Sequence, residues 1–213
     1  MRRTQTFSSR VPVQKRSEAT REKLLEAGIK QFSAQGYHRS TSKTIAREAG
    51  VSIGCFYIYF QDKRQLLLEL YRRHVQTIHD MVTAFFTETA IAPQPGDGKE
   101  LIRSIIEHSL TLHRFPPALL QELTVMSLVD PEFAAIGQAE EEQTITRIID
   151  LLKAGNLQLR VVDSQAAFAV VGHTIEAVVH SLKMFGSDIG EPRMIEATVD
   201  MIHRFLFHEG ENL

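Results

Sequence analysis

The spacing of apolar residues between the prolines is the feature that most constrains this fold. Few stretches alternate apolar and polar residues, and the prolines stand only at positions 12, 93, 95, 116, 117, 131 and 192. Between them, apolar residues recur every three or four positions, which is the period of an amphipathic helix. The pattern predicts an all-α protein of about nine helices with no internal repeat.

Capping and breaking residues set the predicted helix boundaries. Ser17 is placed to cap the first helix and Gly36 to end it. "TSKTIAREAG" and "SIGCFYIYF" predict two short helices, and Asp62 begins a long one in which Gln65 can close a capping box. That helix is expected to reach about residue 89, and further helices are predicted near 99–113, 117–128, 132–154, 164–185 and 193–208.

Charge is distributed unevenly along the chain. Residues 1–74 carry 15 Lys and Arg against 6 Asp and Glu, whereas residues 75–213 carry 9 against 20. A basic first third indicates that this part meets a polyanion, the alternative being a chance asymmetry on a solvated surface. The single cysteine excludes an intramolecular disulfide, and no apolar run reaches the roughly 20 residues of a membrane span. We therefore expect a cytoplasmic protein without a membrane partner.

The two short helices have small residues where a helix-turn-helix requires them. Ala46 lies mid-helix, where a larger side chain would push the second helix away, and Gly50 supplies a turn with positive φ. In the second helix Ile53, Phe56 and Phe60 share one face, and the two phenylalanine rings are predicted to be core.

Tyr57 and Tyr59 point away from that face. A tyrosine hydroxyl beside a basic helix can hydrogen-bond a phosphate, and Lys63 adds a cation at the start of the next helix. Ordinary amphipathic surface packing of the tyrosines is the alternative interpretation.

Residues 18–72 resemble the DNA-binding domain of the TetR (tetracycline repressor) family. The resemblance rests on "FSAQGY", "IAREAGVS", "FYIYF" and "DKRQLL", which occur in the family's order and spacing. The rest of the chain is similar to the family only in length and helicity. The resemblance implies a two-fold dimer in which each helix at 52–59 enters a major groove of a roughly palindromic operator.

The resemblance also implies which residues meet DNA. Ser42, Lys43, Ser52, Ile53, Gly54 and Cys55 are expected to face bases or nearby backbone, and Thr41, Tyr57, Tyr59 and Lys63 to hold phosphates. Lys43 is the best candidate for a guanine contact and Cys55 for a thymine methyl, with DNA shape supplying further specificity. We predict a basic flexible arm at 1–16, a helix-turn-helix domain at 17–62 and a helical ligand-binding and dimerisation domain at 63–213.

Two features of the ends are open to alternatives. The arm, with Arg2, Arg3, Arg10, Lys15 and Arg16, either orders in the minor groove or remains a solvated tail. Helix 164–185 is apolar nearly all round and is expected to be buried on more than one side. In the family the last two helices pair with their mates in a second subunit, and Met194, Val199, Ile202 and Phe205 are expected to join them; burial in one monomeric core is the alternative.

The acidic remainder is expected to hold an effector. His173, Glu176, His180 and Lys183 share one stripe, which is a ligand-facing wall, a metal site or a polar seam. The resemblance implies a small-molecule cavity among the middle helices, with candidate lining residues Leu112, His113, Phe115, Gln121, Met126 and Phe133.

The sequence favours a DNA-binding transcriptional regulator, most simply a repressor that a small molecule releases from its operator. No cofactor and no enzymatic activity are predicted. The alternatives are a regulator controlled by a protein partner or by no ligand, and a metal-dependent hydrolase that uses His173, Glu176 and His180.

Overall fold

The structure is a computed structural model that describes residues 13–91, 98–154 and 159–207. Within these ranges the chain forms nine α-helices and no strand, which confirms the all-α prediction. The helices are α1 Val13–Gln35, α2 Ser42–Glu48, α3 Ile53–Tyr59, α4 Lys63–Ile91, α5 Gly98–Leu112, α6 Pro117–Val129, α7 Pro131–Ala154, α8 Ser164–His180 and α9 Glu191–Leu206. One π-helical turn, Ser181–Phe185, continues α8. None of the helices in the described ranges is both long and apolar enough to cross a bilayer.

The first helix begins earlier than predicted. It starts at Val13 and not at Ser17, so the last four residues of the predicted arm are helical. The arginines of the arm at positions 2, 3 and 10 lie outside the described residues.

The chain divides into two compact units between Leu67 and Leu68. This boundary lies inside α4, whereas the predicted boundary precedes that helix, because the first turns of α4 contribute to the first unit. Leu66 is fully buried there, and a Cβ added at Gly28 of α1 would overlap its Cδ2 atom.

Two left-handed glycines close the first unit. Gly36, at φ 78°, ends α1, and Gly50, at φ 69°, ends α2, as the sequence predicts. After α2 the Val51 N–H donates to Ala46 O at 3.0 Å and the Gly50 N–H to Arg47 O at 3.1 Å. This is the Schellman arrangement, which only glycine adopts without strain at its left-handed position.

The start of α4 is capped by side chains from both directions. Asp62 Oδ1 accepts the Gln65 N–H at 2.7 Å, as expected for an N-cap aspartate. The Gln65 side chain accepts the N–H of Gln61 at 2.6 Å rather than that of Asp62, so the predicted capping box is displaced by one residue.

Helices α5 to α9 and the later part of α4 form the second unit. Its core includes Ile102, Ile106, Ile148, Phe168 and Val179, and ion pairs connect α5 to α9. The expectation that Val199 and Ile202 face a second subunit is wrong, because both are almost fully buried in this unit's own core. The opposite face of α9 leaves Met201 and Phe205 exposed.

Candidate functional site

Helix α3 presents a mixed aromatic and aliphatic outer face. Ser52 caps it, its Oγ accepting the Cys55 N–H at 3.1 Å. Phe56 and Phe60 are buried, as predicted, whereas 57% of Tyr57 is exposed and Tyr59 is half-buried. Because phenylalanines at i and i+4 anchor the helix on one side, its outer side is free of the unit's core.

Helix α2 supplies the polar half of this surface. Thr41 caps it through a reciprocal pair with Thr44, in which Thr41 Oγ1 accepts the Thr44 N–H at 3.1 Å. The structure brings the predicted DNA-facing residues to the exposed parts of α2 and α3. Thr41, Lys43, Ser52, Ile53, Gly54 and Tyr57 are exposed, and Ser42, Cys55 and Tyr59 are half-buried.

Lys63 makes backbone contacts that the sequence did not predict. Its Nζ donates to the carbonyl oxygens of Tyr37 at 2.6 Å, Ser40 at 2.8 Å and His38 at 3.2 Å, and it lies 4.3 Å from the Tyr37 ring centroid. An ammonium has three N–H donors, and these three carbonyls use all of them. Lys63 thus fastens the turn after α1 to the start of α4, and its predicted phosphate contact stays a prediction.

Ile58 is a surface residue that the sequence analysis missed. It is 78% exposed, between the two tyrosines. Its position two residues from both Phe56 and Phe60 places it on the opposite side of a 3.6-residue helix, and this phase could have identified it. The outer face of α3 therefore offers apolar contacts, Ile53 and Ile58, beside a tyrosine hydroxyl.

The second unit encloses a cavity of about 370 Å³. Most of its wall is aliphatic or aromatic, with side chains from α4 to α9. Members of this apolar wall include Ile78, Val82, Phe86, Ile105, Ile145, Phe168 and Val179.

The predicted lining residues divide into two groups. His113, His173, Glu176 and His180 line the cavity. Leu112, Phe115, Gln121, Met126 and Phe133 do not, and their placement as lining residues is corrected. Phe133 is fully buried against the ring of Tyr71, Phe115 packs against His74, and Gln121 is exposed and donates to Met184 O at 3.1 Å.

Three histidines, His74 on α4, His113 directly after α5 and His180 on α8, meet in the cavity wall. The ring centroid of His113 lies 5.0 Å from that of His74 and 5.4 Å from that of His180. Burial and the two neighbouring imidazoles lower the pKa of His74 to about 3. Burial also lowers the pKa of His113 and of His180. All three rings are therefore neutral near pH 7. His74 was missed because nothing in one helix's periodicity connects it to the other two.

A second polar group in the wall centres on Glu140. The Thr144 hydroxyl donates to Glu140 O at 2.8 Å, and His79 Nδ1 lies 2.6 Å from the same hydroxyl oxygen. Glu140 Oε2 is buried without a hydrogen-bond partner, 4.0 Å from His79 Nδ1. This carboxylate was not predicted, because an acidic residue in "AEEEQ" resembles solvated helix surface.

Tyr71 completes the polar part of the wall. Burial and the charge of Glu176 raise the pKa of its phenol. Gly137 on α7 makes room for it, because a Cβ there would lie 2.6 Å from the phenol oxygen.

The hypothesised metal site gains no support. His173 Nε2 lies 3.5 Å from Glu141 Oε1 of α7, while His180 Nε2 lies 3.8 Å from Glu176 Oε1. The described residues contain no group of three or more His, Cys, Asp or Glu side chains arranged to hold an ion.

Comparison with known proteins identifies the first unit. The sequence profile of bacterial regulatory proteins of the tetR family matches residues 24–70. The transcriptional regulator AcrR of Shigella flexneri is 30% identical over 94 residues, which cover 44% of this chain and 41% of that protein. The match thus spans less than half the length of this curated relative.

Solved structures share the fold over nearly the whole chain. A protein from Mesorhizobium loti described as a TetR-family transcriptional regulator superposes with a TM-score of 0.71 at 14% identity, covering 91% of this chain and 99% of its own. A transcriptional regulator from Saccharomonospora viridis, solved in complex with choline, has a TM-score of 0.68 at 20% identity, covering 90% and 100%. At these identities the likeness concerns the fold alone.

Proposed function

We propose that this chain, whose residues 24–70 match bacterial regulatory proteins of the tetR family, is a transcriptional regulator that binds a two-fold symmetric DNA operator. A small molecule in the cavity of the second unit releases it, so the protein acts as a repressor. Because it acts on operator DNA, we place it in the cytoplasm, and we assign it no enzymatic activity.

The observation that carries the DNA-binding function is the outer face of α3. Tyr57, Ile58 and Ile53 are exposed on this seven-residue helix. Neighbouring exposed apolar side chains of this kind indicate a surface that binds a partner. Ser52 accepts a backbone N–H through its oxygen, and its own hydroxyl hydrogen remains available to a phosphate. Lys43 is exposed on α2, and residues 1–74 carry nine more basic than acidic residues.

The face determines what kind of base contact is expected. Ile53, Cys55 and Ile58 can touch thymine methyl groups, and Lys43 can reach guanine. The helix has no Arg, Asn or Gln for bidentate readout. We therefore propose that methyl contacts and DNA shape supply much of the specificity.

Dimerisation through the last two helices completes the symmetric reader. Val170 on α8 is exposed, as are Met201 and Phe205, which are four residues apart on one face of α9. Exposed apolar faces on two neighbouring helices favour a second copy of this chain as their cover. Sedimentation of wild-type protein and of a Phe205→Glu variant tests this, with the variant expected to sediment as a monomer.

The cavity supports a small-molecule effector over a protein partner. Its volume lies within the range of ligand sites, and its wall is mostly apolar with a few polar groups. The neighbour from Saccharomonospora viridis, which was solved with choline, supports a ligand-binding role for this fold. A well-packed second unit would have favoured regulation without a ligand.

The test begins with selection of bound sequences from random DNA by the full-length protein. We expect a palindromic site with two half-sites about one helical turn apart or a multiple of it. Affinity for that site is expected to fall steeply between 50 and 200 mM salt, as about six or more phosphate contacts require. Failure to enrich any sequence, or binding that does not depend on salt, would contradict the proposal.

A further inference from the structure

The charge of the cavity wall is one-sided. Of the lining residues that the structure describes, Glu140, Glu141 and Glu176 are acidic and none is Lys or Arg. Lys183, which is exposed on the π-helical turn, is not a lining residue, although its charge helps to lower the pKa of His113. Three of the five lining histidines, His74, His113 and His180, have pKa values below the ordinary imidazole value and do not compensate the carboxylates near pH 7. The other two, His79 and His173, lie 4.0 Å from Glu140 Oε2 and 3.5 Å from Glu141 Oε1.

The polar atoms of the wall are mostly hydrogen-bond acceptors. His113 Nδ1 lies 2.7 Å from Ser109 O, so this nitrogen carries the proton and the neutral ring keeps its lone pair on Nε2. The Thr144 hydroxyl gives its hydrogen to Glu140 O, so its oxygen accepts from His79 Nδ1. An acceptor-rich wall requires donors from whatever fills the cavity.

Glu140 is the most demanding of these acceptors. Its Oε2 atom is buried and has no donor, although the nearest candidate, His79 Nδ1, is 4.0 Å away. A carboxylate oxygen removed from water without a partner is costly, and a bound cation would offset that cost.

We propose that the cavity binds an apolar cation, an amine or ammonium on a hydrocarbon body, with the ammonium against Glu140. The surrounding aliphatic wall and the rings of Tyr71, Phe86 and Phe168 bury the hydrocarbon and favour a neighbouring positive charge. A fatty acid or an acyl phosphate would place its anion in a wall that holds the buried carboxylate of Glu140 and, among the described lining residues, no Lys or Arg. The inference rests on the proposed function in assigning the effector to this cavity.

A headgroup series on one hydrocarbon chain tests the ligand class. Decylammonium, decanol and decanoate, each below its micelle concentration, are titrated calorimetrically into the full-length protein without DNA. We expect decylammonium to bind at least about tenfold more tightly than either of the others, since only it can pair with a buried carboxylate. Decanoate binding as tightly as decylammonium would overturn the proposal, whatever any variant does.

Glu140→Gln locates the contact. It keeps the side chain's shape and removes the charge, so decylammonium affinity is expected to fall about ten- to hundredfold while decanol affinity changes less than about twofold. The matched control is Glu142→Gln, which is exposed on the same helix and outside this cavity. An equal loss for decylammonium in both variants, or no loss in Glu140→Gln, would remove Glu140 from the site.

Operator release is measured separately on the selected DNA. Decylammonium that binds through Glu140 and releases the operator supports both proposals. Decylammonium that binds through Glu140 without releasing DNA supports the ligand class and contradicts the effector role. Release by decanoate alone supports the effector role and contradicts the ligand class.

Discussion

Lys63 shows that a sequence can mark a lysine as a contact-forming residue without revealing which groups it contacts. A lysine in the first turn of a helix beside a presumed DNA-reading helix favours a phosphate contact. In the structure the Lys63 ammonium donates to the carbonyl oxygens of residues 37, 38 and 40, which lie more than twenty residues away in the chain. No local pattern marks those carbonyls as acceptors, because backbone oxygens carry no sequence signal.

Replacing Lys63 by Met tests this role. The variant keeps the apolar stem and leaves three carbonyls without their donor, so the free energy of unfolding is expected to fall by about 1 to 3 kcal/mol. Lys43→Met, at an exposed position, is the control and is expected to change stability by less than about 0.5 kcal/mol. Denaturant unfolding of both variants measures this.

Operator affinity distinguishes the two assignments of the same lysine. Well below its melting temperature, Lys63→Met is expected to bind the selected operator within about twofold of wild type. A tenfold loss in fully folded protein would show instead that the ammonium reaches a phosphate.

At the scale of elements, the sequence predicted most of the helices because particular residues, glycine and proline, mark where they end or begin. Gly36, Gly50 and the prolines end or start helices through backbone conformations that other residues adopt at a cost. The start of α1 was missed, since Ser17 is a good capping residue yet the helix continues back to Val13. The π-helical turn after α8 was also not predicted, because its residues have no distinctive helical period.

Tyr57→Phe tests the outer face of α3. Removing one exposed hydroxyl is expected to weaken binding to operator and to random DNA by the same factor, about three- to tenfold, because a phosphate contact carries no sequence information. The slope of affinity against salt should stay unchanged, whereas Lys43→Ala is expected to lower it by about one unit. Fluorescence anisotropy at several salt concentrations separates the two effects, and a loss confined to the operator would contradict a phosphate role for Tyr57.

At the scale of the whole molecule, the existence of the cavity could be predicted, but most of its lining residues could not. Its existence and the candidate His113 follow from the family resemblance, and His173, Glu176 and His180 were candidates because they share one polar stripe of α8, which borders the cavity. His74 and His79 on α4 and Glu140 on α7 were missed because the two helices meet only after the chain has packed. Long-range assembly of this kind leaves no periodic trace in a single sequence.

The neutral histidines predict a pH dependence of stability. The pKa of His74 is about 3 in the folded chain and 6.5 in the unfolded chain, so the unfolded state binds the proton first. Stability is fully present above pH 6.5 and is lost as the pH falls toward 3, by up to about 1.4 kcal/mol per pH unit for this residue.

Denaturant unfolding between pH 8 and pH 5 measures the dependence. His74→Phe is expected to flatten the profile below pH 6.5, whereas the exposed control His108→Gln is expected to keep the wild-type shape. Identical profiles for wild type and His74→Phe would show that the buried ring is not the source.

The continuity of α4 has a consequence for protein engineering. The helix starts in the first unit and, after Leu67, supplies Tyr71 and His74 to the cavity wall of the second. A chimera that joins another helix-turn-helix domain to this second unit must therefore be joined inside a helix and not in a loop. One surplus or missing residue at the junction would turn everything beyond it by about 100° and shift it by about 1.5 Å. Functional hybrids should accordingly tolerate junctions only in the native helical phase.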